Sequence, residues 1–335
     1  MVKLIDGTFK FFKREVVFSI SLILAIISCF FAKPSISHIN LDTIILLFVI
    51  MLIVEILKNL AVFEILVRKL LAKISTTRGL VMVLVFTCLF SSIFITNDVS
   101  LIIFVPFSIL ALIKVERVDL IILTVSLQTI AANVGCMVLP IGAPHNIVML
   151  TVSNIPFGSF FMLLLPYVMV SIIFLVVILF FAPADEIHLP EMKKVDFTRE
   201  KFFRRVFLGV DYFLLLTFIA LFILIGNLEH IPFFNSLFTK SIVGNEVIWG
   251  VISSQVISNV PAAMLLSGFS TNYEAIIVGI NIGGFGTLIA SMANLISFKI
   301  LVREFDSFKL RYLGVFTALN VVLLIVLLAT YVLIN

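Results

Sequence analysis

Two seven-residue stretches, Ser91-Ser92-Ile93-Phe94-Ile95-Thr96-Asn97 and Ser253-Ser254-Gln255-Val256-Ile257-Ser258-Asn259, share one pattern: two serines, three spacers, a hydroxyl residue and an asparagine. Each interrupts an apolar run that would otherwise be long enough to cross a bilayer. A bilayer core holds no water, so broken helices and polar turns persist at that depth only where protein or a water-filled cavity satisfies their backbone groups. The two stretches therefore predict a cavity lined by both.

The composition agrees. Hydrophobic residues make up 62% of the chain and charged residues 13%, and the mean hydropathy is +1.27. A soluble domain is only about half apolar. The class is a polytopic membrane protein, with the lipid bilayer as its first partner. Lys3, Lys10, Lys13 and Arg14 precede the first apolar span as in a signal peptide, but no small-residue cleavage site follows, so the span reads as a retained helix. Cys29, Cys88 and Cys136 lack metal or redox spacing and read as small packing residues. No nucleic-acid partner is expected.

Spans of about 20 apolar residues fall at 16–32, 41–57, 118–152, 157–182, 209–227, 272–298 and 311–334. The segments 79–113 and 241–270, which carry the polar tips, are too short for two full spans plus a turn and read as re-entrant hairpins. On that reading Lys58, Arg68, Lys69, Lys73, Arg78, Lys114, Arg117, the cluster from Lys193 to Arg205, Lys299, Arg303, Lys309 and Arg311 share the side of the N-terminus, and only Lys33 and Lys240 lie opposite. The positive-inside rule then makes the N-terminus cytoplasmic and the C-terminus external, in the cytoplasmic membrane.

The fold class expected is an all-α integral membrane protein with an inverted-topology repeat, two re-entrant hairpins and two broken transmembrane helices. Residues 1–40 hold an extra transmembrane helix. The first repeat, 41–182, contains a scaffold helix, an amphipathic surface helix at 58–76, hairpin 79–113, broken helix 118–152 and helix 157–182. A cytoplasmic linker, 183–207, precedes the second repeat, 208–335, with helix 209–227, external hairpin 241–270, broken helix 272–298 and helix 311–334. Two halves of like order and opposite orientation are the plan of alternating-access transporters, with sites near mid-depth where discontinuous helices meet.

Asn133-Val134-Gly135 leads into Pro140-Ile141-Gly142-Ala143-Pro144-His145-Asn146, and Gly283-Gly284-Phe285-Gly286-Thr287 leads into Ser291-Met292-Ala293-Asn294. Proline and glycine unwind both segments. Freed carbonyls and Asn side chains suit a hard cation such as Na⁺, and hairpin-arm N-termini suit an anion. The glycines also serve close helix approach. Asn97 with Asn146, and Asn259 with Asn294, read as matched binding pairs. Asp98 is the carboxylate nearest mid-depth, a proton relay or cation ligand that doubles as a helix-start residue. His145 is a proton carrier or a neutral hydrogen-bonding spacer. The substrate-binding candidates are Thr96, Asn97, Ser258, Asn259, Val260, Pro261, Gly286 and Thr287. The candidates for coupling Na⁺ or H⁺ are Asp98, Asn97, Gly142, His145, Asn146, Asn259, Gly283 and Asn294. No cofactor is implied. The sequence has no Walker loop, HExxH or nucleophile beside a base, so no enzyme is expected.

The run Thr96-Asn97-Asp98-Val99-Ser100-Leu101-Ile102-Ile103-Phe104-Val105-Pro106 resembles the first hairpin of the arsenite-permease and citrate-transporter branch of the ion transporter superfamily. Gly142-Ala143-Pro144-His145-Asn146 is similar to its Gly-Asn-Pro-Gln-Asn loop, and Ser254 to Ala262 to its second hairpin. Residues 278–291 resemble its second broken helix. The resemblance implies a secondary transporter of anions or oxyanions driven by a Na⁺ or H⁺ gradient, of elevator type, often dimeric. His145 and Ala143 depart from the loop pattern, and the tips read Thr-Asn-Asp and Ser-Asn-Val rather than Ser-Asn-Thr, which favours proton coupling through Asp98 over sodium-coupled dicarboxylate uptake. Three functions stay open: an anion or organic-acid symporter, an arsenite or antimonite efflux permease, and a passive anion channel. A Na⁺/H⁺ antiporter is a weaker fourth, since cation exchange calls for more than one mid-depth carboxylate. The orientation predicts that single cysteines introduced between 183 and 207 react with impermeant thiol reagents only from the cytoplasmic side. External labelling would overturn the hairpin reading.

Overall fold

The computed structural model describes residues 16–59, 74–187 and 202–334, which are mostly helical, with turns and unwound stretches between the helices and one isolated bridge between Thr76 and Glu186. Among them, six helices are long and apolar enough to cross a membrane: Thr77–Phe94, Asn97–Lys114, Val118–Gly135, Phe157–Phe180, Tyr212–His230 and Asp306–Ile334. The protein is a multi-pass integral membrane protein.

The first described helices are α1 (Val16–Ser28) and α2 (Leu41–Asn59). Helix α3 (Thr77–Phe94) starts where Thr76, in an extended conformation, accepts the Gly79 amide at 3.2 Å. It ends at extended Ile95, and after Thr96 the chain turns directly into α4 (Asn97–Lys114). Helix α5 (Ile121–Gly135) is followed by a 3₁₀ turn, Pro140–Gly142, and by α6 (Pro144–Ser153). Pro144 takes the first helical position, where a missing N–H costs no helix bond. Left-handed Asn154 ends α6, and α7 (Phe157–Phe180) returns across the fold.

In the second half α8 (Phe202–Gly209) precedes α9 (Tyr212–His230), which Asp211 caps by accepting the Leu214 amide. Helix α10 (Pro232–Ile242) leads to α11 (Glu246–Ile257) and α12 (Asn259–Ser267), separated by Ser258 alone. Helices α13 (Tyr273–Gly283) and α14 (Met292–Glu304) flank the second break, and α15 (Lys309–Ile334) closes the chain.

Two apolar cores organise these helices. The larger unites α3, α4, α5, α7, α11, α12, α13, α14 and α15. In it α3 lies along α5 and α11 along α13, while α4 packs on α14 and α12 on α6. The first two contacts are close because glycines face them. A Cβ on Gly135 would lie 2.1 Å from the Leu89 carbonyl oxygen, and one on Gly283 would lie 2.7 Å from Ser254 Oγ. The smaller core joins α2 and α9 to the outer faces of α6 and α12 through Leu47, Phe218, Leu221, Ile147, Val148, Val260 and Met264. Thr43 and Thr151 add a hydroxyl contact of 2.6 Å across it.

Several boundaries differ from the sequence reading. The first hairpin has two arms of 18 residues each, about 27 Å at 1.5 Å per residue, so the segment is not too short for two spans as its run of 79–113 implied. Arg78 and Lys114 sit inside the helices rather than beyond them. The second hairpin is shorter than the expected 241–270, with arms of 12 and 9 residues between Glu246 and Ser267, and residues 232–242 before it form the unanticipated α10. The second broken helix runs on to Glu304 rather than 298. Helix 41–57 is present, but Asp42, Glu55 and Lys58 keep it outside the six apolar spans. The surface helix expected at 58–76 falls mostly outside the described residues. So does most of linker 183–207, whose start is fastened to the base of α3: Thr77 N donates to the Asp185 carbonyl at 2.9 Å and Ile187 N to the Ser75 carbonyl at 2.8 Å.

Candidate functional site

An Asn-x-Gly precedes each break: Asn133-Val134-Gly135 closes α5 and Asn281-Ile282-Gly283 closes α13. A further asparagine stands third in the helix that follows, Asn146 in α6 and Asn294 in α14. All four are buried. Asn133 Nδ2 donates to Asn294 Oδ1 at 2.8 Å, and Asn281 Nδ2 donates to Asn146 Oδ1 at 2.7 Å. The breaks thus exchange amide hydrogen bonds. Each accepting asparagine also turns its own amide back on the chain before it: Asn294 Nδ2 donates to the Gly284 carbonyl and Asn146 Nδ2 to the Cys136 carbonyl, both at 3.1 Å. Those carbonyls are orphaned where a helix stops.

The first tip joins this network. Buried Asn97 donates from Nδ2 to Asn133 Oδ1 at 3.0 Å and accepts the Asp98 amide on its own Oδ1 at 3.0 Å. The hydrogen bonds therefore link Asn97 to Asn133 and Asn294, not to Asn146 as the sequence pairing had it. Asn146 meets Asn281, whose Oδ1 is also 3.3 Å from His145 Nε2. Thr96 precedes α4 without a side-chain cap. Asp98 is half-buried, and its Oδ1 is buried with no hydrogen-bond partner among the described residues. Gly142 fits against backbone, since its Cβ would lie 2.6 Å from Cys136 Cα and 2.7 Å from the Ser92 carbonyl oxygen.

The second tip is built differently. Ser258 has φ 73 and ψ 155, a region that only glycine adopts without strain, at about 1–3 kcal/mol for other residues. Asn259 is buried, and its backbone N–H donates to the Ala290 carbonyl at 3.0 Å, across the second break. It is not bonded to Asn294, its expected partner. Its Nδ2 lies 3.3 Å from where a Gly284 Cβ would stand. Gln255 holds the unwound loop: Nε2 donates to the Gly283 and Phe285 carbonyls at 2.8 Å, and Oε1 accepts the Thr287 amide at 2.9 Å. Gly286 has φ 110, and a Cβ there would meet Gln255 Oε1 at 2.6 Å. Thr287 is exposed, and its carbonyl accepts from Asn294 Nδ2 at 3.0 Å. Val260 belongs to the smaller apolar core and Pro261 is buried in the first turn of α12. Neither is part of the polar network.

The N-termini of α4, α6, α12 and α14 converge on this network, each carrying about half a positive charge. Anion binding is the natural chemistry of such termini. Sequence reasoning had passed over Asn133, Asn281 and Gln255 as site residues. The Asn-x-Gly echo before both breaks would have found the first two.

The family model described as citrate transporter matches residues 8–275. An uncharacterized transporter of Methanocaldococcus jannaschii is 32% identical over 290 residues, 77% of this chain and 80% of its own. The inner membrane protein YbiR of Escherichia coli is 30% identical over 303 residues, 78% of this chain and 80% of its own.

Replacing Asn294 by Ala removes the acceptor of Asn133 and the donor to two break carbonyls. Leaving buried polar groups unpaired costs about 1–3 kcal/mol each, so the purified N294A variant should unfold several degrees below wild type. Asn294→Gln, which keeps the amide, should lose less. Equal melting temperatures for N294A and wild type would remove the network from the fold's support.

Proposed function

The chain belongs to the citrate transporter family, and from that premise we propose that it is a secondary transporter carrying a small organic acid or inorganic oxyanion, coupled to Na⁺ or H⁺. The observation that carries this reading is the reciprocal amide exchange between the two breaks, Asn133 to Asn294 and Asn281 to Asn146. It supports an inverted repeat, because the main helix contacts come in pairs: α3 on α5 answers α11 on α13, and α4 on α14 answers α12 on α6. Ser92 lies against Gly135 as Ser254 does against Gly283. Two half-sites so related meet where an alternating-access transporter holds its substrate.

Four helix N-termini, the hydroxyls of Thr96, Ser258 and Thr287, and the amides of Asn97 and Asn259 would hold the anion. No Lys or Arg belongs to the network, so the anion's charge is met by dipoles and by a co-transported cation. Asp98 is the group for that coupling. Its buried Oδ1 has no hydrogen-bond partner among the described residues, and a carboxylate so placed is stabilised by taking up a proton or a cation. With Asp98 neutral or paired, an anion can enter beside it. The citrate in the family's description favours a carboxylate substrate over arsenite efflux. The basic loops favour a cytoplasmic N-terminus in the cytoplasmic membrane.

The division into two apolar cores supports an elevator. The larger core would carry the site past α2 and α9 along the outer faces of α6 and α12, an interface mostly of aliphatic contacts with the Thr43–Thr151 pair across it. Cross-linking Thr43→Cys to Thr151→Cys should stop uptake into proteoliposomes, and reduction should restore it. Full transport with the cross-link closed would exclude sliding at that interface.

The substrate is tested by thermal unfolding with citrate, succinate, sulfate, phosphate and arsenite, each with and without Na⁺ at two pH values. A ligand that binds the native state alone raises stability by mass action, about 2.7 kcal/mol at one hundred times its Kd. A carboxylate should stabilise the protein, and Asp98→Asn should abolish the dependence of that shift on Na⁺ or pH. Stabilisation by arsenite alone would reassign the protein to efflux. The absence of any response to these anions would overturn the proposal.

A further inference from the structure

Away from the amide network, a cavity of about 530 Å³ opens between α10 and the base of the second hairpin, lined by Thr239, Glu246, Ser267, Phe269, Ser270 and Asn272 among others. Its one lining carboxylate, Glu246, is 4% exposed. Glu246 Oε1 accepts from Ser270 Oγ at 2.8 Å and from the Gly244 amide at 3.1 Å. Oε2 has neither a hydrogen bond nor an ion pair among the described residues. A buried carboxylate that faces a cavity without a counter-ion is stabilised by a cation. The Thr239 and Ser267 hydroxyls line the same cavity as further acceptors, as does the Asn272 amide oxygen, which also accepts the Ala275 amide at 3.4 Å.

The lining decides which cation. A hard divalent ion takes six to eight oxygen ligands, usually several of them carboxylates. Here a single carboxylate shares the wall with an aromatic ring, in a space far larger than an ion needs. Phe269 packs on Phe238 with centroids 5.0 Å apart, and Phe238 on Phe234 at 6.2 Å. Three N–H donors on a short apolar stem match a carboxylate, hydroxyls and an aromatic face together. We propose that this cavity binds a primary ammonium group of the aminoalcohol class, carried by an ethanolamine lipid headgroup or by a free amine. Helix α10, which exposes Phe233 and Leu237, has the character of an interfacial helix where such headgroups lie. The inference does not depend on which solute the protein carries.

The test is thermal unfolding of the full chain in detergent, with ethanolamine hydrochloride against sodium chloride of equal ionic strength. Ethanolamine should raise the melting temperature saturably, by about 2–4 °C once well above its Kd. Glu246→Gln keeps the acceptor for Ser270 and Gly244 but removes the charge, and should lose the shift. Thr239→Trp fills the cavity from α10 without touching Glu246, and should lose it too, so the test survives if the first variant folds poorly. Nanodiscs then separate the sources. Suppression of the free-ethanolamine shift in phosphatidylethanolamine but not in phosphatidylglycerol assigns the lipid headgroup, whereas a shift equal in both assigns a soluble amine. No shift, a shift retained in both variants, or an equal one from calcium chloride would overturn the proposal.

Discussion

The backbone groups freed at two helix breaks must find partners inside the protein, because the bilayer core supplies no water to take their place. An amide or carbonyl moved unpaired into an apolar medium costs roughly 2–7 kcal/mol, and each break frees several. Side-chain amides meet the demand: Asn146 on the Cys136 carbonyl, Asn294 on those of Gly284 and Thr287, and Gln255 on those of Gly283 and Phe285. The asparagines are then committed to each other across the two halves, so neither break is complete without the other. Helix packing follows from the same demand. Ser92 and Ser254 can approach α5 and α13 closely only because Gly135 and Gly283 lack a Cβ.

The two tips and the two breaks are not built alike. Position 98 is Asp and its counterpart is Val260, which packs in the smaller apolar core. Position 255 is Gln and its counterpart is Ile93. The second loop is therefore clamped from its hairpin by a side chain, while the first is held by Asn146 on the Cys136 carbonyl and carries prolines at 140 and 144. The tip at Ser258 holds a strained backbone, whereas Ile95 and Thr96 are relaxed and extended. Strain at one tip and, at the other, a buried carboxylate oxygen with no hydrogen-bond partner among the described residues are both local costs. Proteins keep such features where the surrounding structure over-determines them, often at sites that bind or switch.

Much of this was legible in the sequence, for a physical reason. Polar residues inside apolar runs are costly enough to mark the tips, and Pro140, Pro144, Gly283 and Gly286 mark the breaks through backbone chemistry alone. Partners were not legible. Asn97 and Asn146 belong to one half, and periodicity gives no hint that their bonds lead to Asn294 and Asn281 in the other. That choice is made by the crossing of α4 over α14 and of α12 over α6, a property of tertiary packing. Arm lengths were misjudged because Arg78 and Lys114 were read as loop residues. Arg78 is instead held in the first turn of α3, its Nε donating to the Ala182 carbonyl at 2.9 Å and its guanidinium lying over Phe180.

The network also limits how its residues can act in transport. Asn146, Asn281 and Asn294 each make two hydrogen bonds from Nδ2, to one another or to backbone carbonyls, and Asn133 makes one, so a bound solute that took those donors would have to break the network. What stays free is the second lone pair of Asn146 Oδ1 and of Asn294 Oδ1, each of which accepts one hydrogen bond, the helix N-termini, the hydroxyls at the tips and the carboxylate of Asp98. Oxygen lone pairs and a carboxylate recognise a cation or a proton, and the N-termini recognise an anion. The two chemistries lie in one small region, and on the proposed function each ligand would offset the charge of the other. Coupling between ion and solute would then be electrostatic, since neither is well held until the other is present.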